Sequence, residues 1–137
     1  MAVTIAGHYL GGLKTELVHE PSGARLITAA PVDNQGDGSS FSPTDMVAAS
    51  LGACMATLMG IVAQREGLDL EGTHFRVEKH MTAEPPRRIA RLVTVFHLPA
   101  RLGADDRLRL ERAALTCPVH RSLLPEIDKP VEFVYDL

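Results

Sequence analysis

From Met46 to Ala63 the chain runs eighteen residues without a charge, and Ser50 and Thr57 are its only hydroxyl side chains. Ser42-Pro43-Thr44-Asp45 immediately before it is a helix start. Ser42 can cap, Pro43 suits the first helical position, and Asp45 completes a capping box with a charge that favours the helix dipole. Gly67 supplies the stop. The pattern predicts a helix that is apolar on every face and therefore buried. Ala48, Ala49, Ser50, Gly52, Ala53, Ala56 and Gly60 leave room for a second backbone, from another helix or a partner subunit, to cross closely. The length approaches that of a membrane span. Its Ala and Gly content and its lack of aromatic or basic anchors at the ends argue against one.

Elsewhere the period is that of strands. Val3 to Leu10, Thr15 to His19 and Ala24 to Thr28 are short β-branched runs, the last two joined by the turn residues Glu20-Pro21-Ser22-Gly23, and they predict an antiparallel meander. Residues 31–40, rich in Asp, Asn, Gly and Ser, predict a loop. Thr73 to Thr82 and Ile89 to Leu98 flank Ala83-Glu84-Pro85-Pro86-Arg87-Arg88, a long hairpin whose loop holds two prolines. Asp105 to Thr116 predicts an amphipathic helix ended by Pro118, Val119 to Leu124 a further short helical piece, and Val131 to Asp136 a closing strand. The order implies an α+β fold with helices gathered against antiparallel sheet.

At 137 residues and 45% hydrophobic content the chain has the size of one domain, 1–137, with a real core. A net charge of −3 without a Lys/Arg run, together with 4% aromatic residues and no Trp, gives no footprint for nucleic acid or an anionic membrane. The N-terminus lacks the basic and apolar regions of a secretory signal, so a cytoplasmic location is expected. Two cysteines in a reducing compartment are then reactive, metal-bound or buried thiols in preference to a permanent staple.

Cys54 lies in mid-helix among small apolar residues and Cys117 at a Cys-Pro helix start. One oxidisable thiol and one resolving thiol are the parts of a two-thiol redox cycle. The dipole and free amides of the helix start favour a Cys117 thiolate. Cys54 has no such help and needs a cation brought to it. Against reactivity, a cysteine in an Ala-rich helix is most simply a small core residue. Cys117-Pro118-Val119-His120 has the spacing of half a zinc site but no second Cys/His pair close in sequence. His8, His19, His74, His80 and His97 read as surface or edge residues. No cofactor is implied.

Ser42 to Cys54 and Thr116-Cys117-Pro118-Val119-His120-Arg121-Ser122-Leu123 resemble the central helix and the second cysteine motif of the OsmC/Ohr superfamily. The resemblance implies an OsmC-like fold with antiparallel sheets wrapped around a buried central helix in an intertwined homodimer. It further implies a thiol-dependent peroxidase: Cys54 attacks an organic hydroperoxide, becomes a sulfenic acid, and is resolved by Cys117 as a disulfide that a dithiol reductant reopens. Peroxidase branches of the superfamily add an arginine from the N-terminal strands, here Arg25, and a glutamate ten residues before the first cysteine. Thr44 occupies that place, with Asp45 one position later and shorter in reach. Nine residues of helix separate Asp45 from Cys54 by roughly 13 Å, so only the partner subunit's Asp45 can approach it. The alternative is an OsmC-like redox-sensing or small-molecule-binding protein without efficient turnover.

Overall fold

The computed structural model describes all residues from Met1 to Leu137. Its element order is β1 (Ile5–Gly11), β2 (Lys14–His19), β3 (Ala24–Ala29), α1 (Pro43–Glu66), β4 (His74–Met81), β5 (Ile89–Leu98), α2 (Ala104–Ala114), α3 (Pro118–Ser122) and β6 (Val131–Tyr135). Every element of the sequence reading is present within a residue or two of its expected bounds. The α+β class holds. A 3₁₀ turn at Val32–Asn34 occupies the segment expected to be loop. The chain divides into two compact units, Met1–Val47 and Ala48–Leu137, with α1 running from the end of the first into the second.

The first unit is the predicted meander, an antiparallel sheet in the order β1-β2-β3. Pairing of Val18 with Arg25 and of Glu16 with Ile27 fixes its faces. Side chains alternate across a strand, so Arg25, Ile27 and Glu16 share one face and Leu26 the other. Neither face is fully covered: Ile5 and Tyr9 are 61% and 69% exposed, and Leu26 and Ile27 are each 46% exposed.

The unit ends in the helix start read from sequence. The Ser42 N–H donates to Asp45 Oδ2 at 2.8 Å and the Asp45 N–H donates to Ser42 Oγ at 3.1 Å, a reciprocal capping box. At the other end of α1, Gly67 takes φ +68° and the Leu68 N–H reaches back to the Ala63 carbonyl at 2.8 Å, the left-handed cap that glycine makes at no steric cost.

Within the chain, α1 is buried on one face and not on all. Ala48, Leu51, Gly52, Met55, Met59, Val62 and Ala63 are buried at helical spacing, while Ser50, Ala53, Thr57 and Ile61 form an open strip opposite. One chain supplies neighbours for one face only. Length and mean hydropathy of 2.0 would suit a membrane span, yet the buried face packs on β4 as a core helix does. Gly52 makes that packing possible, since a Cβ there would collide with the Phe75 ring and lie 2.9 Å from Val77 Cγ2. Gly52→Ala gains up to about 1 kcal/mol of helix propensity but meets an overpacking cost of about 1–3 kcal/mol. The expected result is a lower Tm in thermal unfolding; a raised Tm would show that the ring can step aside.

The second sheet has the order β4-β5-β6. β4 and β5 pair antiparallel as the long hairpin, but β5 and β6 pair parallel. This corrects the expectation of purely antiparallel sheet. The connection from β5 to β6 contains α2 and α3, and a helical crossover returns the chain in the direction it left. Buried Leu92, Thr94, Phe96 and Leu98 alternate along β5. Phe75, Phe96 and Phe133 lie in one cross-strand row. Phe96 is fully buried between the other two, with ring centroids 5.3 Å and 5.7 Å away.

Candidate thiol site

The two cysteines, 63 positions apart in sequence, meet in the second unit. Both are free thiols, and the Cys54 side chain lies near enough to Cys117 to raise its proton affinity. Cys54 projects from α1 at the margin of the open strip, one helical turn from Ser50 and Thr57, and is partly exposed. Cys117 is fully buried.

Local sequence explains how Cys117 is held. Leu115 and Thr116 close α2 with hydrogen bonds to the Glu111 and Ala113 carbonyls, and Pro118 opens α3 at its first position. Cys117 is thereby the cap of α3, and its Sγ accepts the His120 N–H at 3.3 Å. That amide and the one from Val119 favour the thiolate, as the sequence suggested. They do not prevail. Burial pushes the Cys117 thiol above the ordinary thiol value, and the neighbouring Cys54 side chain adds to the rise. A five-residue helix offers few aligned dipoles against complete loss of solvent. Cys117 is therefore a neutral thiol at neutral pH, and iodoacetamide labelling of the native protein is expected to modify Cys54 well before Cys117. Equal labelling rates, read by peptide mass, would contradict the burial argument.

His120 follows in the same motif. Burial and then the Lys129 charge lower its proton affinity, leaving it neutral at pH 7.

Arg25, on β3, donates from Nη1 to Glu16 Oε1 at 2.7 Å, with Arg25 61% and Glu16 28% exposed in their side chains. The two sit diagonally across the β2–β3 pair. Sequence reading singled out Arg25 but not Glu16, because strand register must be known before a residue nine positions away becomes a neighbour. Asp45 serves as the capping carboxylate of α1, the simpler of its two sequence readings. Thr44, in the place of the superfamily's glutamate, lies beside the cap, its Oγ1 3.2 Å from Ser42 Oγ. No group of three or more His, Cys, Asp or Glu side chains converges as a metal cage.

Residues 36–131 match the family model described as OsmC-like protein, a span holding α1 and both cysteines. The chain belongs to the OsmC-like protein family. A crystal structure from Psychrobacter arcticus 273-4, provisionally named for the osmotic stress induced and detoxification response, is 39% identical. It covers 97% of this chain and 96% of its own, with a TM-score of 0.91. The organic hydroperoxide resistance protein OsmC of Legionella pneumophila is 20% identical, covers 98% of this chain and 97% of its own, and has a TM-score of 0.71. The organic hydroperoxide resistance protein OhrB of Bacillus subtilis is 15% identical, covers 97% and 98%, and has a TM-score of 0.69. These last two share the OsmC-like fold with this chain. No curated protein matched the sequence.

Proposed function

We propose that this OsmC-like protein is a thiol-dependent peroxidase that reduces organic hydroperoxides. The observation carrying the reading is that a partly exposed Cys54 neighbours a fully buried Cys117, near enough to raise its proton affinity. A peroxide must reach the first thiol, whereas the second needs to reach only its partner.

In the reaction the Cys54 thiolate attacks the hydroperoxide, an S–O bond forms, the O–O bond breaks, and the alkoxide leaves as alcohol after taking a proton. The product is a Cys54 sulfenic acid. Cys117 loses its proton and attacks that sulfur; an S–S bond forms and hydroxide leaves as water. A dithiol reductant then exchanges with the disulfide and restores both thiols. Cys117 has to deprotonate in the second step, and the His120 and Val119 amides are placed to stabilise the anion once Cys54 no longer holds a competing charge.

The activating groups are assigned to a homodimer. Exposed Ile5, Tyr9, Leu26 and Ile27 on the first sheet are apolar surface of the kind a subunit covers, and the uncharged open strip of α1 is likewise free to be covered. Arg25 and Asp45 of the partner subunit would then approach Cys54, Arg25 supplying the cation that a mid-helix thiolate needs. Apolar surroundings favour an alkyl hydroperoxide over hydrogen peroxide, and the reaction is placed in the cytoplasm, where dithiol reductants are at hand. The assignment predicts catalytic loss of tert-butyl or cumene hydroperoxide with a dithiol, faster than loss of hydrogen peroxide. No turnover above free dithiol would sink it.

One observation favours a second reading as a redox sensor or small-molecule binder. Asp45 is bonded to the Ser42 amide, so the carboxylate nearest the superfamily's glutamate position has a structural role. A sensor forms the disulfide stoichiometrically without sustained turnover.

A further inference from the structure

His74 and His97, both read from sequence as surface or edge residues, face each other across the β4–β5 pair. Their rings stack, with centroids 4.9 Å apart and planes 12° from parallel. Each ring is held at the same nitrogen. His97 Nδ1 lies 2.9 Å and 3.0 Å from the two carboxylate oxygens of Asp136, and His74 Nδ1 lies 3.0 Å from the Gly72 carbonyl. A carbonyl and a carboxylate can only accept, so Nδ1 is the donor in both rings and the lone pair of each neutral imidazole is on Nε2. Gly72 and the C-terminal residues are themselves neighbours, a Gly72 Cβ falling 3.8 Å from Leu137 Cδ1. Both Nδ1 edges thus face one anchoring segment, which leaves both Nε2 atoms directed away from it.

We propose that the stacked His74–His97 pair is a binding site for a divalent late first-row transition ion, zinc among them, with two Nε2 atoms as protein ligands. Water fills the remaining positions. The anchors are those found behind metal-bound histidines, where a carboxylate or a main-chain carbonyl takes the other ring N–H, fixes the tautomer and raises the basicity of the ligating nitrogen. Imidazole suits zinc, copper and nickel in preference to calcium or magnesium. The site is accessible, His97 being 29% and Asp136 50% exposed in their side chains. Binding requires the rings to tilt from parallel so that the two lone pairs converge. Two half-exposed rings on neighbouring strands can make that movement without disturbing the buried face of β5.

The site stands apart from the thiol chemistry and is tested without it. Redox-silent Zn²⁺ is titrated into the reduced protein while the imidazole ¹⁵N resonances of all six histidines are followed. Saturable shifts of Nε2 in His74 and His97 together are expected. His74→Ala and His97→Ala each abolish the saturable site, and Asp136→Asn weakens it by about 10–100-fold. Zinc that perturbs Cys54, Cys117 or other histidines while these two rings stay unmoved would overturn the proposal. So would a His97 shift that is unchanged in His74→Ala.

Discussion

Cys54→Ser is expected to abolish hydroperoxide turnover, by more than about 1000-fold, because loss of the nucleophile removes the step on which every other group acts. Cys117→Ser is expected to behave differently. Its Cys54 can still be oxidised, but with no thiol at the Cys117 position the sulfenic acid persists and turnover in a dithiol-dependent assay falls to the rate at which external thiol reaches a partly buried sulfur. The two variants separate the roles: a single-turnover burst of alcohol survives in Cys117→Ser and is absent in Cys54→Ser. Bursts of equal size would mean that Cys54 is not the attacking thiol. Both substitutions are nearly isosteric, and equal Tm values for the two variants and the parent guard against reading unfolding as lost chemistry. Serine at the buried Cys117 position can still accept the His120 N–H that the sulfur accepts.

The second large effect concerns stability. Phe96→Ala removes a fully buried ring from the middle of the Phe75–Phe96–Phe133 row. Lost transfer energy, the cavity left behind and two lost ring contacts together cost about 3–5 kcal/mol. That is a large share of the roughly 5–15 kcal/mol by which a domain of this size is stable. Chemical denaturation read by circular dichroism is the measurement, and a loss below about 1 kcal/mol would show that the neighbouring rings collapse into the space. β4, β5 and β6 meet at this row, so the change weakens both the antiparallel and the parallel pairing.

Local chemistry made the α1 boundaries legible in the sequence, and the structure explains why. Ser42, Asp45 and Gly67 act on backbone groups within a turn of themselves, so their roles depend on nothing distant. The hairpin of β4 and β5 was legible for the same reason. Features that depend on the packing of remote segments were not. β6 pairs parallel to β5 because two helices intervene, and a five-residue strand carries no sign of its direction. Gly52 looked like one of several small residues, and only the approach of Phe75 separates it from Gly60, where an added Cβ meets nothing.

The candidate site divides along the same line. The identities of Cys54 and Cys117 were evident, and the Cys-Pro step correctly gave the cap at a helix start, while the structure supplies the His120 amide as the particular donor. Sequence favoured the helix-start effect at Cys117, whereas folded burial reverses the balance and keeps the thiol neutral. The reversal bears on mechanism. In the proposed reaction a neutral buried Cys117 does not compete for peroxide, which leaves attack to Cys54. Glu16 beside Arg25, and the His74–His97 stack, are consequences of strand register and carry no linear motif.

The most direct test of a thiol pair working as a peroxidase is to add one equivalent of cumene hydroperoxide to the reduced protein, without reductant, and to map the products by mass spectrometry under non-reducing conditions. The account predicts loss of two hydrogens per chain and one linked peptide pair joining Cys54 to Cys117, formed together with one equivalent of alcohol. Peroxide that remains unconsumed while both thiols stay open to alkylation in the unfolded protein would contradict it.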